Sequence, residues 1–303
     1  MPLPNFLIIG AAKSGTTSMH MYLGQHPDVY FPDYKEPNYF ALAGESLPKP
    51  GPVSPEVMQS LIYSRSITDE KKYESIFENV ATERAVGEAS VRYLYFDKAP
   101  ERISRKIPDV KMIAILRDPV SRLYSHYCMN MQYQLEPLDL MDALEMEEVR
   151  REAGWGWDWH YTGVGRYSEQ LKRYYGQFDQ SQIKVFLHDD FVSDPLGTYQ
   201  EACRFLEIDD NFEPDMSKRG KVTSRPRNLA VDRFIHWPNP IREKLTDIVP
   251  ARPMRRVFNR IDDWNKRPIP KLDPELKKVI GERFKDELKE LGEVLDRPIP
   301  WSY

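Results

Sequence analysis

The chain has 303 residues, of which 41% are hydrophobic and 30% charged: enough apolar sequence to bury a sizeable core, and too much to leave it disordered. No apolar run approaches the ~18 residues that span a bilayer, and the N-terminus lacks a signal pattern, so the expectation is a cytoplasmic protein without a membrane span. The net charge of −4 hides an asymmetry, because residues 218–267 carry 14 Lys+Arg against 5 Asp+Glu. Such a basic segment in an acidic chain suits a phosphate-bearing ligand. Nucleic acid is not expected, since no reading motif or aromatic interleaving accompanies the charge.

In chain order, Phe6 to Ile9 is a short apolar run with the length of a buried parallel strand. It enters a loop of small residues, Gly10-Ala11-Ala12-Lys13-Ser14-Gly15, and Thr16-Thr17-Ser18 then opens a helix through Leu23. A strand that turns through glycines into a helix N-terminus gathers backbone N–H groups at the positive end of the helix dipole, which makes an anion site. Gly10 and Gly15 stand as the two glycines of a P-loop do, but Thr16 occupies the lysine position and the lysine comes earlier, at Lys13. A nucleoside triphosphatase with that change would hold a γ-phosphate and Mg²⁺ poorly, whereas a lysine at the loop apex suits a bridging oxygen on a shorter chain.

Beyond His26-Pro27 the sequence runs extended to Lys35-Glu36-Pro37-Asn38-Tyr39-Phe40. Residues 43–70 are rich in proline, glycine and serine and read as an irregular excursion, of the kind that shapes pockets. Asp69-Glu70 opens an amphipathic helix, and Arg84–Gly87 is a second strand entering Glu88-Ala89-Ser90 and Arg92-Tyr93. A third strand, Met112–Leu116, ends at Arg117; Pro119 starts a helix that carries Ser125 and His126. The acidic stretch 135–152 carries a helical pattern and reads as a solvated face. In 154–161 the alternating Trp155, Trp157 and Trp159 favour an extended segment, either a pocket wall or a core plug. A helix from Gly165 to Phe178, a strand at Ile183–Leu187 and a helix ending near Ile208 follow, and a terminal helix runs from about Pro274 to Leu291. Cys128 and Cys203 have no metal-ligand spacing and read either as a disulfide or, the favoured reading, as two buried thiols of a reducing compartment; no His/Cys cluster calls for a metal. Strands alternating with helices predict an α/β chain: a central parallel sheet flanked by helices, a P-loop-like nucleotide-binding fold with the ligand at the strands' C-terminal edge. One domain over 1–303 is expected, with the excursion at about 43–70 and the basic late segment at about 218–267.

Lys13-Ser14-Gly15-Thr16-Thr17-Ser18 resembles the 5′-phosphosulfate loop of sulfotransferases that use 3′-phosphoadenosine 5′-phosphosulfate (PAPS). The block Lys111–Tyr127 is similar to the family's 3′-phosphate site, and Lys35-Glu36-Pro37 to its glycan-type and bacterial branch more than to the cytosolic small-molecule branch. The resemblance implies that Lys13, Ser14, Gly15, Thr16, Thr17 and Ser18 hold the phosphosulfate and that Arg117 and Ser125 clasp the 3′-phosphate. It implies Glu36 as the base that deprotonates the acceptor, and Lys13 as the stabiliser of charge on the leaving oxygen. A carboxylate suits that role when burial or a neighbour tunes it, and an arginine fork with a serine hydroxyl suits a phosphate. It also implies a late loop closing over the nucleotide, with Lys218, Arg219, Gly220, Lys221 and Arg225-Pro226-Arg227-Asn228 as candidates and Arg227 chosen among them. Ser90 and Tyr93 would lie near the adenosine and acceptor, with core packing the alternative for Tyr93. His126 reads as structural, and His160 as an assistant to the acceptor at most. The implied activity is transfer of a sulfuryl group from PAPS to a hydroxyl or amine of a glycan, lipid or small molecule, giving PAP without a metal. A P-loop kinase and a non-catalytic nucleotide-binding protein of the same fold are the rivals. The dimerisation signature of cytosolic relatives is absent, which leaves the oligomeric state open.

Overall fold

The computed structural model describes residues 2–33, 35–217, 224–237 and 251–303, with the backbone alone at 225 and 251–256. Its centre is a five-stranded parallel sheet of β1 (Phe6–Gly10), β2 (Val29–Tyr30), β3 (Ala85–Ala89), β4 (Lys111–Leu116) and β5 (Ile183–Leu187), in the order β2-β3-β1-β4-β5. The register sets Phe6 beside Gly87 and Lys111, and Met112 beside Ile183. Because side chains alternate along a strand, Phe6, Ile8, Ile113 and Ile115 enter one core while Leu7, Ile9, Met112 and Ala114 enter the other. Helices Thr16–Leu23 and Pro195–Leu206 cover the first face, with Met19, Leu23, Tyr199 and Cys203 buried there. The second is covered by helices that contribute Tyr73, Ile103, Leu123, Leu171 and Leu291. With both faces covered, β1 and residues 112–116 of β4 are continuously apolar, and that is why they stand out in the sequence.

Strand order reverses about β1: the chain passes outward to β2 and β3 on one side, then crosses to β4 and β5 on the other. The loops leaving β1 and β4 therefore meet at the carboxyl edge of the sheet, where doubly wound sheets bind ligands.

Several elements depart from the sequence expectation. The excursion contains a helix, Pro55–Leu61, with its proline in the first turn, where no N–H is needed. Trp157–Trp159 is a 3₁₀ turn rather than an extended segment, and Trp159 is a core residue whose indole N–H donates to Leu135 O at 2.9 Å. The acidic stretch is helical, as its pattern predicts, in two short pieces, Leu140–Glu145 and Glu147–Glu152. It is not merely solvated: Glu147 accepts from the backbone N–H groups of Thr162 and Gly163, both at 2.8 Å. The terminal helix breaks at Glu282–Phe284 into Pro274–Gly281 and Lys285–Leu295. At the break Gly281 packs on Tyr303, where a Cβ would run into the ring, and the Tyr303 hydroxyl reaches Asp118. A two-stranded antiparallel ribbon, β6 (Ser224–Pro226) with β7 (Lys266–Pro268), was not foreseen. No described helix is long and apolar enough to cross a membrane.

Candidate active site

A cleft of about 1310 Å³ opens at the switch point. That exceeds the few hundred to about 1,000 Å³ of a single small-ligand pocket and leaves room for a nucleotide with a second molecule beside it. Lys13, Gly15, Thr16, Thr17, Ser18, Glu36, Arg117 and Ser125, drawn from three separate stretches of sequence, line it together.

The loop after β1 is held by backbone bonds on both sides, Ala11 N to Ile115 O at 2.8 Å and Leu94 N to Ile9 O at 2.9 Å. Gly15 precedes the helix with φ 95°, a left-handed conformation that glycine adopts without cost. Neither a side-chain cap nor an acidic residue occupies the first turn, so the N-terminal N–H groups and the dipole's positive end face the cleft without a built-in anion. Ser14, expected among the phosphosulfate ligands, is fully buried and, unlike its neighbours Lys13 and Gly15, does not line the cleft. Lys13 is itself left-handed, at φ 66°, and its Nζ lies 3.5 Å from Met129 Sδ. Burial pushes its ammonium down to about 8; Arg117, Arg122 and Lys35 add to the shift and Glu36 opposes it.

Asp118 caps the next helix, accepting from Val120 N at 3.3 Å and Ser121 Oγ at 2.6 Å, with Pro119 in the first turn. This fixes Arg117 at the end of β4 and puts Ser125 further along the same helix. Arg117 Nη1 donates to Lys13 O at 3.0 Å, so the two phosphate-binding candidates brace each other. Burial lowers the Arg117 pKa, and its guanidinium remains charged throughout the ordinary pH range.

Glu36 sits at φ 68° on a turn beside the loop. Lys35 Nζ lies 3.2 Å from Glu36 Oε1 and 3.5 and 3.4 Å from the hydroxyls of Thr16 and Thr17. A single ammonium thus links the base candidate to the phosphate loop. Lys35 belongs to the quoted motif, but adjacency in sequence carries no sign of this bridge.

Other expectations resolve differently. Arg227 is exposed and absent from the cleft lining; its Nε donates to Lys266 O at 3.2 Å, closing the β6–β7 ribbon. The late segment reaches the cleft through His236 and, just beyond it, Lys271. Lys218, Arg219, Gly220, Lys221 and the Arg225 side chain lie outside the described residues. Ser90 is fully buried and away from the cleft lining, bonded to Asn38 N and Glu88. Tyr93 is a core aromatic with its hydroxyl on Glu88. His126, read as structural, is fully buried against Arg122 at 3.2 Å and held neutral by burial, yet it is among the residues that line the cleft. His160 pairs with Tyr95 at 2.8 Å, is pushed down to about 4 by burial, and does not line the cleft.

Arg92 and His188 line the cleft without having been singled out. Arg92 is buried between Tyr63 and Trp157 and lies 3.5 Å from Asp158. Nothing local marks it, because its partners come from distant stretches. Among the described residues Asp232, His236 and Asp262 form a group that could ligate a metal, but Lys266 already neutralises Asp262 at 2.7 Å.

The sequence pattern of the Sulfotransferase family matches residues 4–214, and the chain belongs to that family. A solved relative, the sulfotransferase from Alicyclobacillus acidocaldarius, is 30% identical and superposes with a TM-score of 0.75, covering 99% of this chain and 98% of that one. Among curated proteins, mouse heparan sulfate glucosamine 3-O-sulfotransferase 3B1 is 24% identical over 270 residues, 85% of this chain and 62% of its own length. Mouse bifunctional heparan sulfate N-deacetylase/N-sulfotransferase 4 is 24% identical over 221 residues, 69% of this chain and 23% of its own. The chain thus spans less than two thirds of either curated relative.

Proposed function

We propose that this chain is a sulfotransferase that moves a sulfuryl group from PAPS to a hydroxyl or amine of a polar acceptor, working as one domain over 1–303. The convergence of Lys13, Glu36, Arg117 and Ser125 on one cleft carries the reading. The donor set fits the nucleotide: an uncapped helix N-terminus beside Lys13 for the phosphosulfate, and a guanidinium with a serine hydroxyl for the 3′-phosphate. When bound, PAPS supplies an electrophilic sulfur and a leaving group whose bridging oxygen gains charge.

The chain's own residues account for the rest. Glu36 takes the acceptor's proton as its oxygen or nitrogen attacks sulfur, and Lys35 keeps that carboxylate beside the loop. Lys13, mostly protonated at pH 7 with a pKa of about 8, stabilises charge on the departing oxygen. Arg117 fixes the nucleotide and the Lys13 carbonyl together, so donor and ammonium keep their alignment. On the Glu36 side the walls include Ser60, Ser64, Arg65 and Arg92 next to Leu61, Ile62 and Trp157, a mixture that suits a hydroxyl-rich acceptor such as a glycan. Cys128 and Cys203 are buried and form no disulfide, which supports a reducing, cytoplasmic setting.

The test is label transfer from [³⁵S]PAPS to a glucosamine-containing oligosaccharide, which offers hydroxyls and amines, with phenols and hydroxylated lipids in parallel. Labelled product with release of PAP and no Mg²⁺ requirement is expected. Mg²⁺-dependent ATP turnover, or PAP binding without transfer to any acceptor, contradicts the proposal.

A further inference from the structure

Glu88 lies 1% exposed in β3, beneath the turn that carries Glu36, and the proposed chemistry gives it no role. Burial lifts its carboxyl to about 7, against the opposing effect of three hydroxyl donors. Ser90 Oγ donates to Oε2 at 2.8 Å, while Tyr93 and, at 3.4 Å, Tyr73 donate to Oε1. A carboxylate left in a protein interior is costly unless such donors meet it, so this arrangement calls for an explanation.

It leads to the base. Ser90 Oγ accepts from Asn38 N at 2.9 Å, so the serine must turn its own proton elsewhere, and Glu88 is the acceptor in place. Asn38 Nδ2 in turn donates to Glu36 O at 2.8 Å, and Glu36 N donates to Ala89 O at 3.0 Å. Glu36 and Asn38 both hold left-handed conformations, φ 68° and 56°, which side chains other than glycine rarely adopt without outside support. Pro37 between them has no N–H to contribute, and its carbonyl accepts from Ile67 N at 2.8 Å. The turn is therefore shaped by the bonds that converge on it from Ala89, Ser90 and Ile67.

We propose that Glu88 is a positioning residue for sulfuryl transfer: through Ser90 and Asn38 it locks the left-handed turn that aims the Glu36 carboxylate at the acceptor. The inference rests on Glu36 being the base. An amide at 88 would present a donor where the relay needs an acceptor, or leave one hydroxyl unpaired, and the turn would lose its fixed aim. Misplacement of a catalytic group by about 1 Å costs on the order of 10²-fold in rate.

The experiment measures kcat and KM with PAPS and the glucosamine oligosaccharide (PAPS hydrolysis to PAP and sulfate serves if that acceptor is not used), together with PAP affinity. The variants are Glu88→Gln, Ser90→Ala and Ser90→Thr, in the wild-type and Glu36→Gln backgrounds. Glu88→Gln and Ser90→Ala should each lower kcat by about 10- to 100-fold while PAP affinity stays within about threefold, and Ser90→Thr should recover most of the rate by restoring the hydroxyl. Added to Glu36→Gln, Glu88→Gln should cost less than about twofold more, because groups acting as a unit are not additive. Should Glu88→Gln fail to fold, Ser90→Ala carries the test, since it leaves the carboxylate on both tyrosines. A normal kcat in either relay variant while Glu36→Gln is inactive overturns the positioning role alone. So does a multiplicative loss in the double variant, or a parallel loss of PAP affinity. Normal turnover in Glu36→Gln removes the base, and this inference with it.

Discussion

The depressed Lys13 pKa makes the rate's pH dependence a direct probe of the site. Burial, reinforced by Arg117, Arg122 and Lys35, takes the ammonium from 10.5 to about 8. At about 1.4 kcal/mol per unit, keeping the charge on this buried ammonium costs on the order of 3 kcal/mol. The sign follows from a base whose folded pKa lies below its unfolded one: the cost is fully present below pH 8 and is relieved as pH rises from about 8 towards 10.5. An anion that restores the charge must therefore bring a proton with it above pH 8. Lys13 is ~90% protonated at pH 7 and ~10% at pH 9. Initial-rate assays at limiting PAPS should show kcat/KM falling about tenfold for each unit above pH 8. Calorimetry of PAP binding at pH 8.5 in buffers of different ionisation heat should show proton uptake of more than half an equivalent. Lys13→Ala should remove both effects and lower turnover by about 10²-fold or more. An alkaline limb and proton uptake that survive in Lys13→Ala would refute the assignment of the titration to this lysine.

Glu36→Gln should reduce kcat by on the order of 10²-fold or more while PAP affinity, measured by calorimetry, stays within a few fold; near-normal turnover would remove Glu36 as the base. Away from the cleft, Arg150 is buried against Glu136 with two bonds of 2.6 and 2.8 Å, and Tyr161 also donates to that carboxylate. Arg150→Ala leaves a buried charge uncompensated and should destabilise the fold by about 3–5 kcal/mol in denaturant titration; a loss under 1 kcal/mol would mean that water reaches the pair.

The residues legible in the sequence were those whose neighbours in the chain are also their partners in chemistry. Strands β1 and β4 announce themselves because burial on both faces makes residues 6–9 and 112–116 continuously apolar, and β5 by the β-branched and aromatic residues around Lys184. Val29–Tyr30 is too short to do so, and β6 and β7 each contain a proline. The Pro55–Leu61 helix was obscured by a proline that serves as its first-turn residue. Lys13, Glu36, Arg117 and Ser125, which line one cleft, could be singled out by the resemblance of their motifs to those of the sulfotransferase family. Lys35's bridge, Arg92's aromatic sandwich and the Glu88 relay could not, because each depends on which distant loops meet at the strand ends. The packing at Gly281 belongs with these, since there the glycine lies against Tyr303, whose hydroxyl reaches Asp118.

The central claim is that the cleft is built for a nucleotide with a 3′-phosphate, and calorimetric binding of PAP against ADP and ATP without Mg²⁺ tests it most directly. The account predicts that PAP binds at least tenfold more tightly than ADP, as charge-assisted bonds of about 1.5–3 kcal/mol to the extra phosphate require, and that Arg117→Ala abolishes this preference. Equal binding of ADP, or tighter binding of ATP with Mg²⁺, would contradict it.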